Sequence, residues 1–406
     1  MKKQVAIIGS GPAALMLAAT LHQDTFDVII YERNFAPARK FLVAGDGGFN
    51  LTHSEDLEPL IARYTPSNYI EKTIRAFSNI DLQNWLKNIG IETFIGSSKR
   101  VFPLKGIKPI EVLNAFLAVL KNKNVQLKTK HEWIGWNDKN ELVFEHENNQ
   151  LIVKPDITIF ALGGASWQKT GSNGKWTHYF KSKDIEIIPF QPSNCSCQIA
   201  WDKTFISYAA GEPLKNIGVF CEGKERKGEL VMTSFGIEGG AMYAFSPEIR
   251  KQLQEHQVAT VFIDLKPTLS AETIKAAFNA MGKASISHVL QQQIKINKVQ
   301  IALLKSILSK EDFTNTDVLA SKIKQLPLHI IGMASIEESI STVGGIALFE
   351  TDDNFQLHKL PNHYAIGEML DWDAPTGGYL LQACFSMGHY VGNKLNATYE
   401  LKNSGS

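Results

Sequence analysis

The chain opens with the apolar run Gln4-Val5-Ala6-Ile7-Ile8, which breaks at Gly9-Ser10-Gly11-Pro12-Ala13-Ala14. A second apolar run follows, Asp27-Val28-Ile29-Ile30-Tyr31, and it ends in Glu32. Strand, glycine turn, helix and strand in this order specify a parallel β-α-β unit built to receive a dinucleotide. Gly9 turns the chain sharply, Gly11 lets a pyrophosphate meet bare backbone, and Ala14 allows the helix to pack closely on the sheet. The phosphates then lie at the helix N-terminus. Glu32, about 20 residues beyond Gly11, stands where a carboxylate accepts the two hydroxyls of an adenosine ribose and repels a 2′-phosphate. A plain tight turn accounts for less of this pattern. A secretory leader introduced by Lys2-Lys3 is rejected, because the apolar run is broken at Gly9 and no convincing cleavage site follows.

At 406 residues the chain is long enough for two or three domains. Hydrophobic residues at 44% and charged residues at 20% describe an ordinary soluble protein, and a formal charge of +1 predicts no general attraction to nucleic acid or acidic membrane. No run of about 18 uncharged apolar residues occurs, so no transmembrane helix is expected and the expected location is cytoplasmic. Four cysteines form no disulfide framework. Cys195-Ser196-Cys197 is too tight for a zinc pair, and Cys221 and Cys384 are isolated, so no metal site is expected. No CxxC redox dithiol is present, which counts against the flavin disulfide reductases.

Further along, a glycine-rich loop spans Arg39 to His53. Helical patterns run through about 57–90 and 109–122, and residues 125–162 read as strands turning at Asp138-Lys139-Asn140 and Glu147-Asn148-Asn149. Asp156 to Leu162 is a buried strand pattern ending at Gly163-Gly164. Short strands dominate from roughly 190 to 265, a Lys- and Gln-rich helical pattern occupies 269–325, and strands return at Ser341–Phe349 and Tyr364–Gly367. A last helix is expected over about 378–395, so the nucleotide domain is discontinuous.

A single fingerprint fits NAD or FAD, and the C-terminal part decides for FAD. Gly367-Glu368-Met369-Leu370-Asp371 closes a strand, and Thr376-Gly377-Gly378-Tyr379 opens a helix. An acidic strand end suits a ribityl chain, and a helix N-terminus suits the flavin N1/C2 edge that becomes negative on reduction. Gly377 and Gly378 are expected to let the ring approach. No second fingerprint exists, so NAD(P)H is expected only as a transient co-substrate.

Several motifs together resemble the YhiN/BaiN-like bacterial flavoproteins over nearly the whole chain. They include Ala38-Arg39-Lys40-Phe41-Leu42, Gly45-Asp46-Gly47-Gly48-Phe49-Asn50-Leu51-Thr52-His53, Phe102-Pro103, Ala161-Leu162-Gly163-Gly164-Ala165-Ser166-Trp167, Gly171-Ser172-Asn173-Gly174, Thr233 to Gly239, Thr342 to Ile346 and Gly367 to Gln382. The resemblance implies an α/β fold, in which a Rossmann-like FAD-binding domain is interrupted by an inserted β-barrel-like domain and a helical domain. The corresponding expectation is 1–190 and 345–400 for the FAD-binding domain, 191–268 and 326–344 for the β domain, 269–325 for the helical domain and 401–406 for a flexible tail. Commoner members have Gly-Arg-Cys-Asn where this chain has Gly47-Gly48-Phe49-Asn50, and Asn where it has Leu380, which marks a distinct subfamily.

Carried over by position, the resemblance places Gly9, Gly11 and Ala14 on the pyrophosphate, Glu32 on the ribose, and Arg39 and Lys40 beside the adenosine or phosphates. Asn50 and Thr52 are placed near the flavin, Gly163 and Gly164 close to the cofactor, Asp371 toward the ribityl chain, and Gly377 to Tyr379 at the isoalloxazine edge. Gln382 is a weaker candidate. Ser10, Pro12, Ala13, Arg33, Gly367, Glu368 and Thr376 complete the expected cofactor-binding set.

Hydride transfer makes few side chains compulsory. The proton-donor candidates are His53, Tyr379 and His178, each with a capping, packing or solvent-exposed alternative. Trp167, Trp176, Phe235 and Tyr243 are either core or the wall of an apolar pocket. Lys99-Arg100 and Lys105 to Lys108 form a basic surface, read as a solvated loop or as a dock for an NADPH phosphate or anionic substrate. The leading expectation is an FAD-dependent oxidoreductase acting on a small apolar molecule. Two alternatives are an RNA-modifying flavoprotein, prompted by Lys295 to Lys310 but opposed by the neutral charge, and a non-catalytic FAD-binding module acting through a partner. Nucleic acid is not an expected partner.

Overall fold

The computed structural model describes residues 1–43 and 48–404, the last four of these by backbone alone. The Gly45–Gly47 part of the glycine-rich loop and residues 405–406 of the expected tail lie outside the described residues. The chain divides into two compact units, Met1–Gln191 with Ile340–Ser406, and Pro192–Ser339.

In the first unit the expected β-α-β is formed by β1 (Lys3–Ile8), α1 (Pro12–Thr20) and β2 (Phe26–Tyr31). Five parallel strands make its sheet, in the order His363–Ala365, Ile157–Phe160, β1, β2, Gln126–Lys128. Val5 pairs with Val28 on one side and Ile157 on the other. Near-continuous apolar strands are what a parallel sheet covered on both faces requires. α1 carries Pro at its start, and every residue from Ala13 to Ala19 is buried.

Against α1 packs the C-terminal helix Tyr379–Ser404. Two glycines one turn apart make the approach possible: a Cβ on Gly388 would lie 2.3 Å from the Ala13 carbonyl oxygen, and one on Gly392 would lie 2.8 Å from Thr20 Cβ. This helix extends beyond the expected 378–395, into the segment read as a tail.

Residues 132–153 form the antiparallel meander Glu132–Trp136, Leu142–His146 and Asn149–Val153. Glu147 and Asn148, at φ of 50° and 64°, supply the paired left-handed residues of its tight second turn. A smaller antiparallel sheet joins Thr52–His53, Arg100–Pro103 and Thr93–Ile95. Residues 340–344, expected with the inserted domain, belong to this first unit, where the Thr342 and Gly344 N–H groups donate to Glu368 and Asp371.

The second unit is a seven-stranded antiparallel sheet, ordered Leu326–Ile330, Ala259–Asp264, Pro213–Cys221, Lys224–Thr233, Gly236–Glu238, Cys197–Gln198, Gly332–Met333. The first and last strands in this order follow one another along the chain, separated by Ile331. Five helices between Ala271 and Lys324 start at Ser270, Ser285, Asn297, Ser309 and Asn315, each of whose side chains accepts from a first-turn N–H. Sheet and helices bury one common core, with Ile263, Leu304 and Leu319 fully enclosed. Cys195 and Cys197 lie buried here, and burial holds the Cys197 thiol protonated.

Candidate functional site

A cavity opens over the C-terminal ends of β1 and β2, where α/β sheets bind ligands. Its floor is the turn Gly9 to Ala13, and its walls bring in Glu32, Arg33, Arg39, Lys40, Gly163, Gly367 and Glu368. Residues separated by the length of the chain are thereby assembled into one site.

The two fingerprint glycines serve different ends. Gly9 has φ +98°, and a Cβ there would lie 2.3 Å from the Ala161 carbonyl oxygen, so packing and backbone conformation both demand glycine. Gly11 has φ −72°, which any residue adopts, and nothing lies within 4 Å of a Cβ built on it. Fold packing leaves glycine unexplained at Gly11, whereas a group seated on the backbone at the start of α1 explains it. The residues present fit a dinucleotide pyrophosphate.

Glu32 is 8% exposed and points into this cavity. One carboxylate oxygen accepts from the Ser10 hydroxyl, and the other accepts from the Asn34 backbone N–H at 2.8 Å and side-chain amide at 2.7 Å. Ser10 also accepts from the Ala38 N–H at 3.1 Å, tying the turn to the loop after β2. These bonds hold the carboxylate in one orientation. Asn34 was not anticipated, and neither was Gly171 as its neighbour: a Cβ on Gly171 would lie 2.6 Å from Asn34 Nδ2, and the Gly171 carbonyl accepts from Arg33. The Gly171-Ser172-Asn173-Gly174 motif carried the signal for this wall.

Lys40 is among the lining residues. Its ammonium donates to both oxygens of Glu368, at 3.1 and 2.8 Å, and to the Ser166 hydroxyl at 2.8 Å. The Glu368 side chain, 9% exposed, also accepts from the Thr342 N–H at 3.2 Å. Lys40 is thereby tied to Glu368, and both line the cavity. Gly164 is bare because Thr342 and Glu368 fill its side-chain space, with Thr342 Oγ1 at 2.2 Å from a built Cβ.

Ala14, Asn50, Thr52, Gly164 and Asp371 are not part of this lining, and neither are Thr376 to Tyr379. Ala14 is fully buried in helix–sheet packing. Asp371 accepts from the Gly344 N–H at 3.0 Å rather than lining the cavity. Gly378 has φ +95°, and its Cβ space is taken by the Thr52 backbone at 2.6 Å, so the requirement for glycine there is local packing. Thr52 Oγ1 donates to Gln382 at 2.6 Å, and both side chains are buried.

A polar cluster that sequence reasoning missed surrounds Tyr379. Its hydroxyl donates to Glu55, which also takes a bidentate pair from Arg63 at 3.1 and 2.9 Å. His53 stacks on the Tyr379 ring, with centroids 5.1 Å apart, and its Nδ1 accepts from the Glu55 N–H at 3.2 Å. The Tyr64 hydroxyl donates to the Tyr379 carbonyl.

Burial lowers the His53 pKa and favours neutral imidazole. Burial works against ionisation of Glu55, but the hydrogen bonds from Arg63 and Tyr379 outweigh it and hold this carboxyl below the usual carboxylate range. Burial, with the hydrogen bond to Glu55, pushes the Tyr379 phenol well up. Tyr379 and His53 are thus held by neighbours rather than presented as free acids. His178 lines the cavity from an exposed position. Trp176 lines it too and donates its indole N–H to the Gly163 carbonyl at 3.1 Å, whereas Trp167 is exposed and Phe235 and Tyr243 belong to the second unit.

Among the described residues no group of His, Cys, Asp and Glu side chains is arranged to hold a metal, and no helix is long and apolar enough to cross a membrane.

Two curated relatives align with nearly the whole chain. The chain is 22% identical over 408 residues to a 3-dehydro-bile acid Δ(4,6)-reductase of Clostridium scindens, covering 96% of this chain and 98% of the relative. It is 20% identical over 391 residues to the ribosomal RNA dihydrouridine synthase of Escherichia coli, covering 94% of each. Among solved structures, 3-ketosteroid-Δ4-(5α)-dehydrogenase from Rhodococcus jostii RHA1 in complex with 4-androstene-3,17-dione shares the fold, with a TM-score of 0.50, 12% identity and 96% coverage of each chain. The HI0933-like protein Rossmann domain matches residues 3–394, and the chain with its Rossmann-like α/β unit belongs to that family.

Proposed function

We propose that this protein is an FAD-dependent oxidoreductase that reduces a carbon–carbon double bond conjugated to a carbonyl, with NAD(P)H as a transient reductant. The open backbone at Gly11 carries the cofactor part of this reading. The names of the two curated relatives support the chemistry, since a Δ(4,6)-reductase of a 3-oxo steroid and a dihydrouridine synthase both saturate a double bond in conjugation with a carbonyl.

Such a reduction adds hydride to one carbon and a proton to its neighbour, and bound flavin supplies the hydride. Gly11 and the start of α1 would hold the pyrophosphate, with the unpaired N–H groups of the first helical turn directed at it. Glu32, fixed by Ser10 and Asn34, would accept the ribose hydroxyls. Glu368, fixed by Lys40 and Thr342, would accept from the ribityl hydroxyls. These carboxylates are oriented before the ligand arrives, which lowers the ordering cost of binding.

The test is anaerobic. Purified protein loaded with FAD is mixed with NADH or NADPH, and the bleached flavin is then offered conjugated enones and, separately, saturated ketones. Reoxidation by the enones alone is the expected result; reoxidation by neither class, in flavin that NAD(P)H does reduce, would refute the proposed substrate class.

An RNA substrate is the second reading, favoured by the dihydrouridine synthase relative and by the Lys-bearing helix Lys298–Ile307. Salt-sensitive retention of ribosomal RNA at low ionic strength would support it, and no retention would dismiss it.

A further inference from the structure

Two stretches of one loop line the cavity, Ala161 to Gly163 and Thr170 to Asn173. The loop is pinned at its base and exposed at its tip. At the base, the buried Ser166 hydroxyl accepts from Lys40 at 2.8 Å, the buried Ser172 hydroxyl donates to the Gly164 carbonyl at 2.9 Å, and Trp176 donates to the Gly163 carbonyl at 3.1 Å. At the tip, Trp167, Gln168 and Lys169 are exposed. The tip is also closed on itself. The Trp167 carbonyl accepts from the Thr170 N–H at 2.9 Å and from the Thr170 hydroxyl at 2.8 Å, and the Gln168 carbonyl accepts from the Gly171 N–H at 3.0 Å. A turn bonded in this way moves as one body.

Arg33 fastens that body to the Glu32 side of the cavity. Its guanidinium donates to the Gly171 carbonyl and stands 3.6 Å from the Glu132 carboxylate, so it spans from the loop to the meander. Gly171 lies flush against the same group of residues: a Cβ on it would be 2.6 Å from Asn34 Nδ2, which donates to Glu32, and 3.7 Å from Arg33 Nε. Arg33, Asn34, Glu132 and Gly171 all line the cavity. The loop is thus held against the residues that orient the carboxylate read above as the ribose acceptor.

Two observations point to a wall that opens. The cavity measures about 270 Å³. Pockets that enclose drug-sized ligands span about 300–1,000 Å³, and a flavin adenine dinucleotide is larger than such ligands. The closed tip is also strained. Trp167 holds φ +63° while 41% exposed, a backbone conformation that costs a bulky residue free energy. Phe355 takes a similar φ of 66°, but it is fully buried and packs edge-on against Tyr69, so packing offsets its strain. An exposed indole receives little of that compensation. A strained turn held shut by one side chain has the makings of a two-state element.

We propose that Trp167–Gly171 is a lid on the Glu32 side of the cavity and that Arg33 is its latch, opening to pass the adenosine half of the dinucleotide and closing behind it. The assignment rests on the FAD reading given above. The latch bonds join the protein's own atoms, so breaking them eases opening in the free and the loaded protein alike. Entry and exit both become faster, and the affinity, which is their ratio, changes little.

The kinetics of FAD exchange read this without substrate or turnover. Association is followed by stopped flow, as the flavin fluorescence changes when apoprotein takes up FAD, and dissociation by the reverse change on large dilution. Wild type is compared with Arg33→Met, which keeps the stem and drops the donors. A hydrogen bond from a charged donor shifts an equilibrium by about tenfold or more, so both rate constants are expected to rise about tenfold in R33M while Kd stays within about threefold of wild type. Arg33→Lys keeps one charged donor for the Gly171 carbonyl and is expected to lie between the two.

Unchanged rate constants in R33M would overturn the proposal. So would slower association, the mark of a guanidinium that draws in the cofactor's phosphates, and so would faster dissociation alone, the mark of one that holds bound FAD. If R33M does not fold, Trp167→Asn is measured in its place. Asparagine takes a left-handed conformation at lower cost and deepens the closed state, so both rate constants are then expected to fall about threefold, and unchanged values would overturn the proposal. Wild type that takes up no FAD would contradict the cofactor reading itself, which keeps the two failures distinct.

Discussion

At Gly11 an added side chain would enter open space, whereas at Gly378 it would stand 2.6 Å from the Thr52 backbone. Both glycines belong to motifs read from sequence as places where a cofactor approaches bare backbone, and the structure separates them. The first is free of packing constraint, so its glycine is explained by what binds. The second is locked by its own fold, with φ +95° and a neighbouring main chain filling the side-chain space. A glycine in a binding motif is therefore evidence for a ligand only where the protein leaves the space beside it empty.

The contrast is sharpest in the largest expected effect. Gly378→Ala must move the Thr52 backbone and strain a left-handed residue, and it is expected to cost about 4 kcal/mol or to abolish soluble expression, as read by denaturant unfolding. Wild-type stability in that variant would break the comparison. Lys40→Met comes next. It leaves Glu368 buried with the Thr342 N–H as its remaining partner, and a loss of about 3 kcal/mol is expected. The double replacement of Lys40 and Glu368 by methionine should recover much of that loss, because no charge is then stranded.

Gly11→Ala is expected to leave stability within about 0.5 kcal/mol of wild type. FAD affinity should still fall by about tenfold or more, equivalent to ~1.4 kcal/mol, and fluorescence titration of the apoprotein reads it. Unchanged affinity would place the pyrophosphate away from Gly11.

Acidification gives the smallest effect and probes the Tyr379 end. The folded state lowers the His53 pKa from 6.5, so its contribution is complete above that value and is lost as pH falls. It lowers that of Glu55 from 4.5, so this contribution too is present above 4.5 and is lost as pH falls through the depressed folded value. The unfolding temperature is expected to decline from neutral pH downward, less steeply below pH 6.5 in His53→Asn and less steeply below 4.5 in Glu55→Gln. Parallel declines in all three proteins would remove these groups from the account.

The β-α-β unit was legible because its signals are local: a buried run, a glycine turn, Pro12 at the helix start and a carboxylate at the end of the next strand. The helical pattern over 269–325 was legible as a whole, while its separate starts, where Ser270, Asn297 and Asn315 each accept from an N–H two or three residues on, were not read from the sequence. The surroundings of Tyr379 were not legible, because Glu55 meets it across 324 positions and Thr52 meets Gln382 across 330. Neither Glu55 nor Arg63 stands in a motif, and their roles arise from packing alone. The two C-terminal carboxylates stand differently. Asp371 accepts from the Gly344 N–H, and Glu368 is the carboxylate that lines the cavity, a difference that depends on where residues 342–344 pack and not on the local motif.

The central claim is that the Gly11 end of the cavity holds FAD. Apoprotein titrated with FAD, AMP and FMN by fluorescence and equilibrium dialysis tests it most directly. The account predicts one FAD bound per chain, weakened competition by AMP alone, and little binding of FMN, which lacks the adenosine diphosphate half that Gly11 and Glu32 would hold. Binding of FMN as tight as that of FAD, or no flavin binding at all, would contradict it.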